Sequence, residues 1–571
     1  MRSPFLAQKK CLTIGNLLNS LLSIHSLLST LRSDTLSAEF DSSVRVSKCF
    51  RDFHSVVMFW KYLRWIPARV IICIMMFTAC WTSYMCRLQM AILAVPMILT
   101  EADKKNFSGA CVDAAGNNRR RRSLLADPYD EDLMQRMLEP RTARFELFSG
   151  LPFAWTPFIR GQLISAYSWG NVPGNFIGGV LAQKFGPRQS ILWSSIIAAT
   201  ISLITPFIAH LHWVALAISR VLIGVTGGIT FPACHTLVAR WAPPDEKGRF
   251  VWTLQGGTFG SIFLFGIISG IAENINWESG WYIPAIMMFI WIIFWFLLAF
   301  DSPEEHPGIS ETEKDFILSS QAGSVRKEKP LLRQTPIVKI MTSIPFISLI
   351  ICHFGNLFLL FFYQNGMMLY QTQALGFKLT KGGVVSGLPW ASRVILAFLF
   401  GWAGDTIKRK HLMSVTVLRK GATFFSHFLP GICLIIVGYM GCAFVWANVF
   451  LVLALGFNGA ASISNLSNNQ DLSPNYAGFL YGIMNTVGSL SGIIISPVVE
   501  EIAGKHGNTV ERWQILFWMG AAVCIVCMLI FIAGGSGNVQ SWNELKPANP
   551  EEGQGATTRG GAAPGPEAAK T

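Results

Sequence analysis

The sequence predicts an all-α membrane protein with twelve transmembrane helices in two six-helix halves. Of its 571 residues, 51% are hydrophobic and only 14% are charged, whereas a soluble domain carries about 25% charged residues. Apolar stretches of about 20 residues, the length that a helix needs to cross a bilayer, recur along the chain. A charged, proline-bearing segment at 301–340 separates six stretches from six others. A soluble globular protein is thereby excluded. The net charge of +13 could suggest a nucleic-acid-binding protein, but the sequence has no basic stripe interleaved with aromatic residues.

The predicted spans follow one another in order, six on each side of the central segment. They cover residues 69–99, 161–182, 190–210, 212–234, 251–272, 281–300, 343–364, 382–402, 423–440, 443–464, 474–498 and 513–534. This order predicts an N-terminal half at 66–300, which contains a long loop at 100–160, then a central cytosolic loop at 301–340 and a C-terminal half at 341–534.

Two short loops carry a trace of an internal repeat. The segment GGVLAQKFGPR follows the second span, and FGWAGDTIKRK follows the eighth. Both place small residues at a helix end before a tight basic loop, as expected of two halves related by an axis normal to the membrane. Four residues of these loops are expected to control the opening and closing of the halves: Lys184, Arg188, Asp405 and Arg409.

Lysines and arginines in the short loops predict the orientation of the chain. They concentrate on the side that holds both termini and the central loop, and short basic loops stay in the cytosol. The loop at 100–160 is then non-cytosolic, which makes Asn106, in Asn-Phe-Ser, a glycosylation acceptor. The run Arg119–Arg122 in the same loop is interpreted either as a solvated tract or as a convertase cleavage site.

The two ends of the chain are expected to be poorly ordered, and the cysteines are expected to be structural. Residues 1–65 are expected to form a poorly ordered cytosolic segment, although a Ser/Leu-rich stretch within them also fits a signal sequence, an interfacial helix or an extra span. Residues 535–571 are expected to be a disordered cytosolic tail. Most of the twelve cysteines, Cys442 among them, fall in apolar segments and are expected to be small packing residues rather than bridges or ligands. No metal site and no organic cofactor are predicted.

Three arginines lie well inside predicted spans: Arg87 in the first, Arg220 in the fourth and Arg393 near the middle of the eighth. A charged side chain at such depth costs about 2.5–3.5 kcal/mol on insertion scales and is tolerated mainly where it faces a polar cavity. A guanidinium presents a fork of donors that suits carboxylate or phosphate. The three residues therefore predict a binding pathway for an anion. The alternative is that each arginine bonds to helix carbonyls, pairs with a neighbouring helix or extends to a helix end.

The seventh predicted span has a polar side. Asn356 and Tyr363 follow His353 at roughly helical spacing and are expected to supply hydrogen-bonding groups to the substrate cavity. For His353, and for His235 at the end of the fourth span, structural hydrogen bonding is favoured over proton transfer.

Three longer motifs resemble solute carrier family 17 of the major facilitator superfamily, which includes the type I sodium–phosphate cotransporters, sialin and the vesicular glutamate transporters. They are RVLIGVTGGITFPACHTLVARWAPPDEKGRF in and after the fourth span, SPEEHPGISETEKDFI in the central loop and NNQDLSPNYAGFLYGIMNTVGSLSGIIISP around the eleventh span. The resemblance covers about residues 66–544. It implies that Arg220 and Arg87 contact the substrate, although Gln89 replaces the asparagine of the family's first-span pattern.

Departures from the family pattern concern the coupling ion and the substrate. Proton-coupled members carry a glutamate one or two turns after the fourth-span arginine, where this chain has Ile223 and Gly227. Vesicular glutamate carriers have a histidine where this chain has Ile164, and an arginine where it has Asn356. The pattern favours transport driven by sodium or membrane potential, and it speaks against proton symport and against glutamate loading.

The predicted function is secondary active transport of an organic anion or inorganic phosphate by alternating access, with the site near the midplane between the halves. The expected partners are a small anionic substrate and the lipid bilayer, with no nucleic acid, and the protein is expected to be a monomer. Na+ is left open as a coupling ion. A channel-like anion conductance and a non-transporting sensor on a carrier scaffold remain alternatives, whereas no convergent nucleophile–base set predicts an enzyme. Plasma, lysosomal and vesicular membranes all fit.

Overall fold

The structure is a computed structural model that describes residues 66–98, 111, 152–243, 246, 250, 252–321, 336–473 and 476–543. Long helices form almost all of this described part. The predictions made for residues 1–65, for Asn106, for Arg119–Arg122 and for residues 544–571 lie outside the described residues.

Twelve long helices follow one another through the described part of the chain. Helices α1 to α6 are Ala68–Met97, Pro157–Lys184, Pro187–Leu211, Trp213–Trp241, Gly256–Asn274 and Ser279–Leu298. Helix α7 is Ile344–Leu369, which continues as a π turn to Ala374, and α8 is Leu379–Arg409. Helices α9 and α10 are the interrupted helices Val415–Tyr439 and Phe444–Leu472, and α11 and α12 are Ala477–Ile502 and Val510–Gly534.

Eleven helices of the described part are long and apolar enough to cross a membrane, and α2 is the long helix that falls short in hydropathy. It has 28 residues, ample for a bilayer, but it carries polar side chains such as Arg160 and Asn171, which are buried. Helix α2 packs along α4 and α11, so these side chains contact protein instead of lipid. By length and composition, eleven of the twelve predicted spans are therefore confirmed in the described part of the chain, and α2 is the one that is not.

Helices α2 and α4 pack backbone against backbone. A Cβ added at Gly174 would lie 2.9 Å from the Cα of Val225, and one at Gly228 would lie 2.7 Å from the carbonyl oxygen of Asn171. Small residues at a spacing of four allow this close approach where no hydrophobic force drives helices together. By contrast, Gly482 on α11 has no atom near the position of a Cβ.

The short connections make successive helices antiparallel, so the bundle has two faces. The end where α1 finishes and α2 begins is called the loop face here, and the end where α1 and α7 begin is called the opposite face. The N-terminal half, α1 to α6, meets the C-terminal half, α7 to α12, mainly where α2 packs on α11 and α5 packs on α8.

A disulfide joins the two halves at the loop face. Cys111, from the loop between α1 and α2, is bonded to Cys442, which lies between α9 and α10, and their Cα atoms are 5.0 Å apart. The prediction that Cys442 is a packing residue is therefore wrong, because the residue lies in the turn before α10 and not inside an apolar span. The other cysteines of the described part are free thiols.

The central loop contains a helix, Glu311–Gln321, that docks on the beginning of α1. The carboxylate of Glu313 accepts hydrogen bonds from the backbone N–H groups of Ala68 and Arg69 at 3.0 and 3.1 Å. These donors have no partner within α1 because they belong to its first turn. The central helix therefore belongs structurally to the N-terminal half.

The first residues of the predicted disordered tail are folded. The backbone N–H of Gln540 donates to the carbonyl of Leu472 at 2.9 Å, and the side chain of Trp542 is buried. The expectation of disorder is therefore wrong for residues 535–543, because they pack over the end of α10.

Candidate substrate site

Arg87 lies where the two halves face each other. Its guanidinium carbon is 5.3 Å from the ring centroid of Tyr84 and 5.8 Å from that of Tyr167, both in the N-terminal half. The ring of Phe361, from α7 of the C-terminal half, lies 4.2 Å away. The side chain is only half-buried, so aromatic rings hold the guanidinium while the residue keeps some accessible surface.

Arg220 is fully buried inside the N-terminal half. Its Nη1 donates to the carbonyl of Cys86 at 2.9 Å, and its Nη2 donates to the carbonyl of Arg87 at 3.3 Å. The guanidinium carbon is 5.5 Å from the rings of both Tyr167 and Trp281. Arg220 therefore does not face an open cavity as expected, because it bonds to carbonyls of α1. These bonds hold the turn of α1 that carries Arg87.

Arg393 of α8 brings a guanidinium from the C-terminal half. Its Nε donates to Oδ1 of Asn458 at 3.1 Å, and its Nη1 donates to the hydroxyl of Thr258 on α5 at 3.4 Å. The amide nitrogen of Asn458 donates in turn to Oδ1 of Asn356 at 3.0 Å and to the carbonyl of Ser426 at 3.1 Å. This chain of hydrogen bonds fixes Arg393 at the boundary between the halves and gives Asn356 an indirect place in the site.

Helix α10 is broken beside Arg393. A 3-10 turn at Gly459–Ile463 follows Asn458, and Ser464 leaves the helical region with φ −103° and ψ −111°. Irregular backbone at membrane depth is tolerated where it is buried in protein or lines a polar cavity. A Cβ at Gly459 would lie 2.7 Å from the backbone nitrogen of Ala397, so glycine lets the broken segment approach α8.

Tyr84 connects the two sides of the site. Its ring lies beside Arg87, and its phenol is close enough to Arg393 to interact with it electrostatically. We call Arg87, Arg220 and Arg393 the arginine cluster. Within the described part of the chain, none of the three forms an ion pair with an acid. Positive charge concentrated in a low-dielectric site attracts an anion.

Tyr363 does not take part in this cluster. Its hydroxyl donates to the carbonyl of Leu451 at 2.8 Å, and the side chain is fully buried. The structure therefore does not place Tyr363 where the sequence predicted it, because α7 turns this residue towards α10.

His353 and His235 lie near the same ring of α11. The Nδ1 of His353 is hydrogen-bonded to the side-chain amide of Asn465 at 2.8 Å. The ring of Tyr481 is 6.1 Å from that of His353 and 5.4 Å from that of His235. His235 is on α4, so this contact also joins the halves, nearer the opposite face.

The predicted gating residues of the first short loop bond within the N-terminal half. The backbone N–H of Arg188 donates to Asp301 at 2.7 Å, and its Nη2 donates to the carbonyl of Phe296 at 2.6 Å. Lys184 is exposed, and its ammonium nitrogen is 5.3 Å from the ring centroid of Phe185. Arg188 therefore ties α3 to the end of α6.

In the second short loop, Asp405 and Arg409 are exposed. The acid that organises this loop is Asp471 at the end of α10, which accepts from Nε of Arg419 at 2.6 Å and lies 3.8 Å from Nζ of Lys408. None of the four predicted gating residues bonds across the halves in the described part of this conformation, and their gating role stays a prediction.

Four residues that complete the site were not predicted from the sequence. Asn458 was visible as a polar amide within the predicted span at 443–464. The aromatic residues Tyr84, Tyr167 and Phe361 carried no such signal, because aromatic side chains in an apolar segment are ordinary packing residues.

The sequence and the fold match a class of membrane transporters. The sequence profile of the Major Facilitator Superfamily matches residues 72–497. The xylose transporter XylE from E. coli, in an inward open conformation, covers 85% of this chain and 99% of its own, with a TM-score of 0.53 and 11% identity. The peptide transporter POT in complex with sulfate covers 82% of this chain and 94% of its own, with a TM-score of 0.53 and 14% identity. These structures show the shared fold.

Sequence relatives narrow the class. Vesicular glutamate transporter 1 of Xenopus tropicalis and that of Bos taurus are each 30% identical over 402 residues, covering 70% of this chain and 69% and 71% of the relatives. Vesicular glutamate transporter 2 of Homo sapiens is 29% identical over the same length, 68% of its own chain. The chain belongs to the major facilitator superfamily and, within it, to solute carrier family 17. It is a multi-pass membrane transporter, not an enzyme, of a kind found in vesicular or plasma membranes.

Proposed function

We propose that this chain is a secondary active transporter that moves a small organic anion or inorganic phosphate by alternating access. The arginine cluster carries the proposal, since Arg87 from one half and Arg393 from the other approach the same boundary without an acid partner in the described part. An anion bound between them would neutralise charge from both halves at once, which favours closure of the halves around it. Arg220 positions Arg87 from within the N-terminal half.

The substrate is expected to lack an ammonium group. The similar proteins are named for glutamate, whose ammonium group requires an acid or several acceptors. The arginine cluster has no paired acid among the described residues, and Asn356 stands where the resemblance implies an arginine in glutamate carriers. Phosphate or a simple carboxylate should therefore be preferred, and glutamate should be a poorer substrate.

For energy coupling we propose sodium or the membrane potential. Helix α4 contains neither Asp nor Glu, and Ile223 is fully buried. A Cβ at Gly227 would overlap the hydroxyl of Tyr167, so Tyr167 occupies the space that a carboxylate at position 227 would need. At the two positions one and two turns after Arg220, this chain therefore has close packing and no acid that could bind a proton.

We also propose that the loop face is non-cytosolic. Lysines and arginines of the short loops, such as Lys184 and Lys408, lie at the opposite face, which the charge rule assigns to the cytosol. The disulfide between Cys111 and Cys442 lies at the loop face, and disulfides persist in oxidising compartments. Two independent arguments therefore support the same orientation.

The test is uptake into proteoliposomes of labelled phosphate, urate, sialic acid, acidic amino acids and nucleotides, under separately imposed sodium, proton and potential gradients. We expect saturable uptake of one class of anion, accelerated when the vesicles are preloaded with the same anion. A channel would not show this acceleration. Accumulation driven by a pH gradient alone, with sodium absent and the potential clamped at zero, would contradict the coupling, and loss of that uptake in His353→Gln would identify the proton carrier.

Two substitutions connect the uptake to the site. Arg87→Gln and Arg393→Gln should each reduce uptake about tenfold or more, because hydrogen bonds to charged groups contribute about 1.5–3 kcal/mol. Lys410→Gln removes an exposed cation outside the cluster and should leave uptake unchanged. Failure of the well-folded protein to transport any anion of the panel would overturn the proposed function in favour of a non-transporting sensor.

A further inference from the structure

A buried ion pair crosses between the halves at the loop face. Arg160, in the first turn of α2, donates from Nε to Oε1 of Glu500 at 2.7 Å and from Nη2 to Oε2 at 2.9 Å. Glu500 lies in the last turn of α11, and the two side chains are 0% and 2% exposed. A bidentate pair of guanidinium and carboxylate combines charge with fixed geometry. Neither residue belongs to the arginine cluster.

Two glycines shape the space around this pair. A Cβ at Gly504 would overlap Oε2 of Glu500 and lie 3.4 Å from Nη2 of Arg160, and a Cβ at Gly161 would lie 3.0 Å from Cγ of Glu500. The hydroxyl of Thr156 accepts the backbone N–H of Ile159 and caps α2 just before Arg160. The two charged groups therefore meet in a close contact, with one glycine on α2 and the other in the turn that follows α11.

A second polar contact lies at the same face. The backbone N–H of Thr380, in the first turn of α8, donates to the carboxylate of Glu273 in the last turn of α5. The two pairs of helices that connect the halves, α2 with α11 and α5 with α8, are thus both joined by a carboxylate at the loop face.

Nearer the opposite face, the described contacts between the halves are uncharged. Asn485 donates to Asn175 at 3.3 Å, about one turn beyond the middle of α11 and α2, and the rings of His235 and Tyr481 meet at 5.4 Å. The ionic contacts between the halves in the described part are therefore concentrated at one end of the molecule.

We propose that Arg160 and Glu500 form the latch that holds the loop face closed, so that this pair sets how often the transport site opens to that face. The inference rests on the proposed transport function, because alternating access requires the halves to separate here. Separation hydrates both charges. Removal of one charge leaves the other buried without this partner, which destabilises the closed state relative to the open one.

The test measures access to the interface, not transport. Ser168, eight residues after Arg160 on α2, is buried near Phe361 and Gly492, and Ser168→Cys supplies a reporter thiol below the latch. A membrane-impermeant maleimide is added to sealed vesicles with the loop face outside, and labelling of protein without the reporter is subtracted. Glu500→Gln should label about tenfold faster than the intact pair, the change that about 1.4 kcal/mol of conformational free energy gives.

Three further variants make the result specific. Glu501→Gln is the matched control, because Glu501 is the next residue, is 61% exposed and pairs with Lys505 on its own face; labelling should stay as in the wild type. The charge exchange Arg160→Glu with Glu500→Arg should slow labelling back towards the wild-type rate. Gly504→Ala keeps both charges but crowds the pair, so it should accelerate labelling.

Equal labelling of Glu500→Gln and the wild type, in preparations that both elute as single species, would overturn the latch. If Glu500→Gln does not fold, an unchanged rate in Gly504→Ala overturns it instead. Labelling needs no substrate, so the two proposals fail separately: an accelerated rate without uptake of any anion would leave the latch standing and remove the proposed substrate class.

Discussion

At the scale of single residues, the three arginines of the cluster differ in what holds them. Arg220 is fully buried and bonded to two carbonyls of α1, whereas Arg87 is half-buried among aromatic rings. Arg393 is held by Asn458, which is itself held by two further acceptors. Substitutions should therefore separate the charge that we propose to bind an anion from the charge that maintains the fold.

Arg87→Gln should lower transport with little change in thermal stability, because the residue makes ring contacts and retains accessible surface. Arg220→Ala should abolish transport and also destabilise the protein by about 1.5–3 kcal/mol, since it removes buried charge-assisted hydrogen bonds. Arg220→Lys should rescue poorly because an ammonium is a point charge and not a fork. Uptake and thermal unfolding in detergent, measured on matched amounts of protein, check that the two arginines differ in their effect on stability. Unchanged stability in Arg220→Ala would contradict this difference.

The environment of His306, in the central loop, should make the stability of the protein depend on pH. It is buried, with its ring 5.8 Å from that of Trp241 and 4.8 Å from that of Phe300. Burial lowers the pKa of His306 from 6.5 to about 4, because the charged imidazolium loses its hydration. The neutral ring is thus the form that the fold accommodates.

Stability should fall as the pH is lowered from about 6.5 towards 4, because the unfolded chain takes up the proton before the folded protein does. His306→Gln, which lacks the titrating ring, should show a flatter decline of the unfolding temperature over this window. His411→Gln, at an exposed position, is the control and should follow the wild type. Parallel pH profiles for His306→Gln and the wild type would show that this histidine does not contribute.

At the scale of elements, the pairing of α2 with α4 determines where the site can form. The two helices approach through glycines, and Tyr167 of α2 contacts both Arg87 and Arg220 through its ring. A small outward shift of α2 would therefore move an aromatic wall of the site as well as the latch residue Arg160.

Gly174→Ala should destabilise the protein by about 1–3 kcal/mol, because the added methyl group would overlap the backbone of α4 and force the helices apart. The matched control is Gly179→Ala on the same helix, where no atom lies near the position of the Cβ; there alanine should be neutral or slightly favourable by its helix propensity. The unfolding temperatures of both variants check this prediction. Equal changes in stability would show that the close packing of α2 on α4 does not cause the loss at Gly174.

At the scale of the whole molecule, two features connect topology with compartment. The disulfide between Cys111 and Cys442 joins the long loop to the C-terminal half, while the basic short loops lie at the other end of the bundle. Together they support the proposed orientation, in which the loop face meets an oxidising lumen or exterior.

Asn106→Gln should remove one glycan and increase mobility on a gel, as expected of an acceptor on the non-cytosolic side. Cys442→Ser should free the thiol of Cys111, which an impermeant maleimide should then label only from the non-cytosolic side. In the wild type this labelling should require prior reduction. Unchanged mobility in Asn106→Gln, together with labelling from the cytosol alone, would reverse the assigned orientation.

Much of the architecture is predictable from local sequence. The spans, their division into six and six and the three intramembrane arginines follow from hydropathy and charge, because each helix must bury about 20 apolar residues in lipid whatever its neighbours are. Helix α2 is the instructive exception. Its 28 residues include buried polar groups, which only contacts with α4 and α11 make tolerable.

The sequence by itself thus determined the class of the protein, most of its membrane-crossing helices and the presence of three arginines within them. Only the tertiary structure decided which arginine stays accessible, which residues hold Arg393 and that Cys442 is bridged. It also decided that Arg160 meets Glu500, because these residues are 340 positions apart and each lies near a span end, where charges are ordinary. Local patterns report how a segment meets lipid, whereas partners across the bundle depend on the packing of helices that are distant in the chain.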